Sequence, residues 1–120
     1  MSDAKRRPET IAAQALDAVD PHTGAVVPPL HTATTYARDA NYELVGKHLY
    51  SRYGNETIDH AERIIAELEG GHAAMVYASG LAGIAGLLET LAPGGKVVAP
   101  DIFYWGSRDL LNHIASSGRI

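Results

Sequence analysis

From Asn55 onward, Ile58, Ala61, Ile64, Ile65 and Leu68 recur at helical spacing, while Glu62, Arg63, Glu67 and Glu69 occupy the remaining face. That period predicts an amphipathic helix, and Gly70-Gly71 marks its end. Ala73 to Ala78 is a short apolar run of the kind a buried strand presents. Gly80 to Leu91 reads as a second helix, Pro93-Gly94-Gly95 as a turn, and Lys96 to Ala99 as a second strand. Ser107 is placed to cap a helix running to about Ser116, Gly118 to end it, and Arg119-Ile120 to begin a third strand. Strand, helix, strand, helix, strand is the signature of parallel βαβ units, so the predicted class is α/β.

The N-terminal half has a different character. Up to about Tyr53 there is no sustained period apart from an Ala-rich amphipathic stretch from Glu9 to Val19, and Pro8, Pro21, Pro28 and Pro29 punctuate the segment. Residues before proline are pushed toward extended conformations, so His22 to Thr35 is expected to be extended loop. An irregular stretch of this length is unusual inside a compact domain and makes sense as an arm lying against another subunit. Residues 1–56 are therefore read as an arm and 57–120 as the start of a larger domain. A parallel sheet is normally covered on both faces and continues over several strands. A chain that reaches only its third strand is expected to be a fragment, and in isolation to be poorly stable or prone to aggregate.

Composition narrows the possibilities. The formal charge is −4, the ten Lys and Arg are dispersed, and no basic stripe accompanies an aromatic platform, which argues against a nucleic-acid surface. With no Cys there is no disulfide framework, no thiolate metal site and no Cys nucleophile. The first dozen residues carry no apolar targeting core and no segment is long enough to span a membrane, so a cytoplasmic protein is expected. The six histidines never fall at i,i+4 on one helix with an acidic partner, and no metal site is expected from them. Gly-x-Gly-x-x-Gly, Gly-Lys-Ser/Thr and Gly-x-Ser-x-Gly are all absent.

Three segments carry candidate chemistry. In Ala78-Ser79-Gly80-Leu81-Ala82 an apolar run turns through a small corner into a helix, whose first N–H groups face an incoming anion with the positive end of the macrodipole. Small residues there serve close packing equally well. In Tyr50-Ser51-Arg52-Tyr53-Gly54-Asn55 the Arg52 fork matches a phosphate bidentately, and Tyr50 points to the same side if the backbone is extended. The alternative is a surface arginine over packed tyrosines. Asp101-Ile102-Phe103-Tyr104-Trp105-Gly106-Ser107 follows the second strand at the sheet edge where ligands bind in open α/β folds. Tyr104 or Trp105 there can stack on a planar ring or pack against the neighbouring helix. Gly83 and Gly86, inside a predicted helix, are read as sites of close packing.

Taken together, Pro28-Pro29, Tyr50-Ser51-Arg52-Tyr53-Gly54-Asn55-Glu56-Thr57, Leu68-Glu69-Gly70-Gly71, Ala78-Ser79-Gly80-Leu81-Ala82 and Asp101-Ile102-Phe103-Tyr104 resemble the Cys/Met-metabolism family of pyridoxal-phosphate enzymes. That family includes the cystathionine γ-synthases, cystathionine γ- and β-lyases, methionine γ-lyases and O-acylhomoserine sulfhydrylases. The resemblance runs from about Thr23 to the end. It implies an arm followed by the first βαβαβ part of a fold-type-I large domain that binds pyridoxal 5'-phosphate, in a homotetramer built from dimers with shared active sites. It places Tyr50 and Arg52, with Ser51 between them, on the phosphate of a neighbouring subunit's cofactor. Ser79, Gly80 and Leu81 fall on the phosphate seat of the same subunit. Tyr104 falls on the aromatic that stacks on the pyridine ring and takes the proton of the substrate amine. The chain departs from the pattern at Glu56, where the family usually has Pro, and at Trp105, where it usually has Gly.

The implied reaction is elimination or replacement at the γ or β carbon of sulfur amino acids or O-acylhomoserine, and Leu81 does not separate synthases from lyases. The family's Schiff-base lysine lies beyond residue 120. Lys5 and Lys47 are in the arm and Lys96 lies at the wrong end of a strand, so this chain alone is expected to be inactive. A non-catalytic truncated fragment, or another fold-type-I enzyme such as an aminotransferase, are the alternative readings.

Overall fold

The computed structural model describes residues 6–120. Its contacts divide the chain into two units, one ending at Val76 and one running from Tyr77 to Ile120.

In the first unit, α1 spans Pro8–Gln14 and α2 spans Glu56–Glu69. Pro8 begins α1 where its missing N–H is no loss, and the Arg7 carbonyl accepts from Thr10 and Ile11 at 3.0 and 3.1 Å. Ile11, the buried residue of α1, is only 3 % exposed, and α1 packs on α2. The stretch predicted from Glu9 to Val19 is helical only to Gln14. Ala15, Leu16 and Asp17 then form a 3-10 turn with φ of 46, 61 and 56°. His60 on α2 lies 2.9 Å from the Ala15 carbonyl and Arg6 pairs with Asp17 at 2.5 Å, so neighbours outside the helix hold this left-handed turn.

Residues 20–25 are also less extended than expected. Gly24 N–H donates to the Asp20 carbonyl and Asp20 N–H to the Ala25 carbonyl, both at 2.8 Å, while the Asp20 carboxylate accepts from His22 N–H and Thr23 Oγ1. Farther on, the segment folds back on itself through antiparallel bridges at Thr35–Tyr50 and Arg38–Leu44. Ser51 N–H to the Thr34 carbonyl at 2.9 Å fixes the end of that hairpin. α2 then begins at the predicted place. The Asn55 side chain accepts from Ile58 N–H at 2.9 Å, and Gly70, at φ 64°, closes the helix with Gly71 N–H bonded to the Ala66 carbonyl at 2.8 Å.

In the second unit, α3 spans Gly80–Glu89 and α4 spans Trp105–Ser116. Leu88 and Ile114 are the buried apolar side chains of these helices, which pack together. Between them Gly95 N–H returns to the Ala92 carbonyl at 3.0 Å, a turn that requires φ +78° at Gly94. Gly118, at φ +73°, ends α4 as expected. Ser107 does not cap α4. It sits inside the helix and is 2 % exposed, while the Tyr104 carbonyl takes the N–H groups of Ser107 and Arg108.

The βαβ expectation is met only in its helices. Among the described residues no strand forms at 73–78, 96–99 or 119–120, and the only ladder contacts are the two isolated bridges of the hairpin. A strand exists through its partner's hydrogen bonds, and burial of its side chains offsets the entropy of extending it. Val76 and Val98 are 47 and 97 % exposed, so that compensation is missing here. Among the described residues the buried apolar set is Ile11, Leu88 and Ile114.

Candidate functional site

Ser79 and Gly80 form the corner that the sequence singles out. Ser79 is extended, at φ −155° and ψ 157°, and its hydroxyl accepts from Ala82 N–H at 3.1 Å, while its carbonyl accepts from Gly83 N–H at 3.1 Å. The N–H groups of Gly80 and Leu81 open the helix and have no intrahelical acceptor by construction. A Cβ built on Gly80 meets nothing within 4 Å, so the corner is open on that side. Two free N–H groups, a dipole end and open space suit a phosphate group such as that of pyridoxal phosphate.

Tyr50 and Arg52 are brought together, although by a turn rather than by an extended backbone. Tyr53 N–H donates to the Tyr50 carbonyl at 2.9 Å, and the turn sends the Arg52 guanidinium back over the Tyr50 ring, 5.1 Å from its centroid. Arg52 also donates to the Tyr50 hydroxyl at 3.4 Å. The pair presents a cationic fork and a phenol side by side, with Arg52 exposed. Ser51 is half-buried, and its N–H is committed to the hairpin.

Tyr104 stands at the N-terminus of α4, 59 % exposed, with its ring tilted against Trp105 at 5.7 Å between centroids. Its ring also lies over Gly106, where a Cβ would come within 2.8 Å of the ring carbon Cε1. Glycine at 106 is thus what lets the ring approach the start of the helix this closely. Trp105 is 64 % exposed beside it.

One cluster escaped the sequence reading. His48, one of the six histidines from which no metal site is expected, is 8 % exposed, with Nε2 at 3.4 Å from Glu56 Oε1 and 3.3 Å from Asp59 Oδ2. Lys47 pairs with the same Asp59 oxygen. That bond, above all, holds the Asp59 carboxyl below its ordinary pKa and Lys47 above its own. A search along one helix misses the cluster, because the histidine comes from the hairpin and the carboxylates from the first turn of α2. The available signal was Glu56 and Asp59 at i,i+3, just after a histidine-bearing loop.

Residues 9–120 match the sequence model of the family described as Cys/Met metabolism PLP-dependent enzyme. A cystathionine beta-lyase of Coxiella burnetii is 43 % identical over 95 residues, covering 79 % of this chain and 24 % of the relative. A cystathionine gamma-synthase of Escherichia coli is 39 % identical over 115 residues, covering 94 % of this chain and 29 % of the relative. Among solved structures, metB from Corynebacterium glutamicum superposes with a TM-score of 0.83 at 27 % identity, over 99 % of this chain and 31 % of that one. The chain thus covers 24–31 % of the length of these proteins.

Proposed function

The chain belongs to the Cys/Met metabolism PLP-dependent enzymes, and on that premise we propose that it is the N-terminal portion of a fold-type-I enzyme of transsulfuration type. The substrates are sulfur amino acids or O-acylhomoserine, and the reaction is elimination or replacement at the γ or β carbon. The cofactor is pyridoxal 5'-phosphate, which when bound supplies an electron sink.

In this reading the N–H groups of Gly80 and Leu81, with Ser79, hold the cofactor phosphate. Tyr50 and Arg52 add a phenol and a guanidinium to the phosphate of a neighbouring subunit's cofactor, within a homotetramer built from dimers. Tyr104 would lie against the pyridine ring and, as its phenolate, would accept a proton from the substrate amine and become the neutral phenol. Trp105 narrows the space beside the ring and so bears on substrate choice. Residues 1–56 serve as the arm and 57–120 as the opening of the cofactor-binding domain.

The observation that carries the reading is the Ser79–Gly80 corner, with its unpaired N–H groups and open approach. The test is made on the full-length protein that contains this chain. It is expected to purify with pyridoxal phosphate, and Arg52→Ala is expected to weaken cofactor affinity by roughly tenfold to a hundredfold, the loss of about 1.5–3 kcal/mol for a charge-assisted hydrogen bond. A protein that neither purifies with the cofactor nor takes it up on titration refutes the proposal.

A further inference from the structure

We propose that His48 Nε2, Glu56 Oε1 and Asp59 Oδ2 form a binding site for one divalent transition-metal cation, distinct from the residues assigned to the cofactor phosphate. The three atoms lie within 4.8 Å of one another. The two separations from the imidazole nitrogen are 3.4 and 3.3 Å. A tetrahedral centre with nitrogen and oxygen ligands at about 2.0–2.1 Å has edges of about 3.3–3.4 Å, so each of the two His48–carboxylate separations matches one edge of such a centre.

The second observation is the state of the imidazole. His48 is more than nine-tenths buried, and its Nε2 is among the buried side-chain atoms with no hydrogen bond. It faces two carboxylate oxygens at near-contact distance yet donates to neither. A buried polar atom in that condition carries a free-energy penalty. Coordination removes it, since a neutral imidazole offers its lone pair to a metal and needs no linear N–H···O approach. Two carboxylates and one neutral imidazole also balance a dication in charge.

Glu56 and Asp59 line a surface cleft of about 460 Å³ together with Lys47, Glu62, Arg63 and His72. Lys47 is the competitor, because its ammonium occupies the Asp59 oxygen that the ion would use. Its side chain is 68 % exposed, so it can leave for solvent when the ion arrives. The imidazole favours zinc, nickel or copper over magnesium or calcium.

The test uses the full-length protein that contains this chain, stripped with a chelator and titrated with Zn²⁺ by calorimetry. Wild type is expected to bind Zn²⁺ at this site and to melt at a higher temperature with the ion present. Glu56→Gln, at a half-exposed side chain, is expected to lower Zn²⁺ affinity at least tenfold and to abolish the melting shift while leaving cofactor content unchanged. His48→Gln should do the same, and Lys47→Met should tighten binding several-fold. Equal Zn²⁺ affinity in wild type and Glu56→Gln, or no binding by wild type, overturns the proposal and leaves the cluster as an ion-pair group. Cofactor content is measured on the same samples, so failure here is distinct from failure of the cofactor assignment.

Discussion

Gly83 and Gly86 lie on one helix, three residues apart, against one aromatic ring, and they are expected to respond differently to the same substitution. Replacing an interior helical glycine by alanine gains about 1 kcal/mol when nothing else changes. At Gly83 the added methyl meets Tyr77 Cδ2 at 3.5 Å and Cγ at 3.9 Å, ordinary contact, so Gly83→Ala keeps that gain. At Gly86 it meets the Tyr77 hydroxyl at 2.3 Å, Cζ at 2.7 Å and Cε1 at 3.0 Å. The ring is rigid, so these atoms move only together, and the whole side chain must retreat by about 1 Å to restore normal contact. Tyr77 is 40 % exposed, so its ring can swing toward solvent, but only by giving up its contact with α3, a loss that offsets the helical gain of about 1 kcal/mol. Gly86→Ala should therefore be less stable than Gly83→Ala by about 1 kcal/mol. Urea midpoints of the two variants of the full-length protein, compared at equal m-values, measure this difference. Repeating both in a Tyr77→Ala background should abolish it. A Gly86→Ala protein as stable as Gly83→Ala refutes the reasoning.

Two further outcomes are expected. Ser79→Ala should lose about 1 kcal/mol of helix capping, whereas Ser79→Asp should keep the cap and lose at least tenfold in pyridoxal-phosphate affinity by facing the phosphate with a like charge, read by titrating the cofactor into each variant. Arg119 donates to both Glu89 oxygens, at 2.6 and 2.5 Å, and this bond, above all, holds the Glu89 carboxyl below its ordinary 4.5. The folded-state value is the depressed one, so the stabilisation is present above pH 4.5 and lost as pH falls through that lower value. The urea midpoint of wild type should therefore converge on that of Glu89→Gln in acid; a gap that persists unchanged there contradicts the assignment.

What the sequence discloses depends on how local each determinant is. Both ends of α2 are legible because Asn55 and Gly70 act on their own helix within one turn. The corner at Ser79 is legible for the same reason. The end of α1 is not, since it depends on His60, 45 residues away. Strands are the least local elements, and the apolar runs at 73–78 and 96–99 show that composition favours extension without supplying a partner. The nearness of Tyr50 and Arg52 follows from their spacing, but the turn that creates it differs from the extended backbone expected. His48 joins Glu56 and Asp59 only once the hairpin has folded, which no helical template anticipates.

The left-handed turn at Ala15–Asp17 ties the N-terminal helix to the state of α2. Three successive L-residues at positive φ carry about 1–2 kcal/mol each of steric penalty. The turn is kept by partners that include a histidine on another helix. It acts like a spring latched from a distance. When α2 loosens, this contact is lost, and the released residues gain free energy by changing conformation. Order in this short segment is therefore a local gauge of whether the helix bearing His60 is intact.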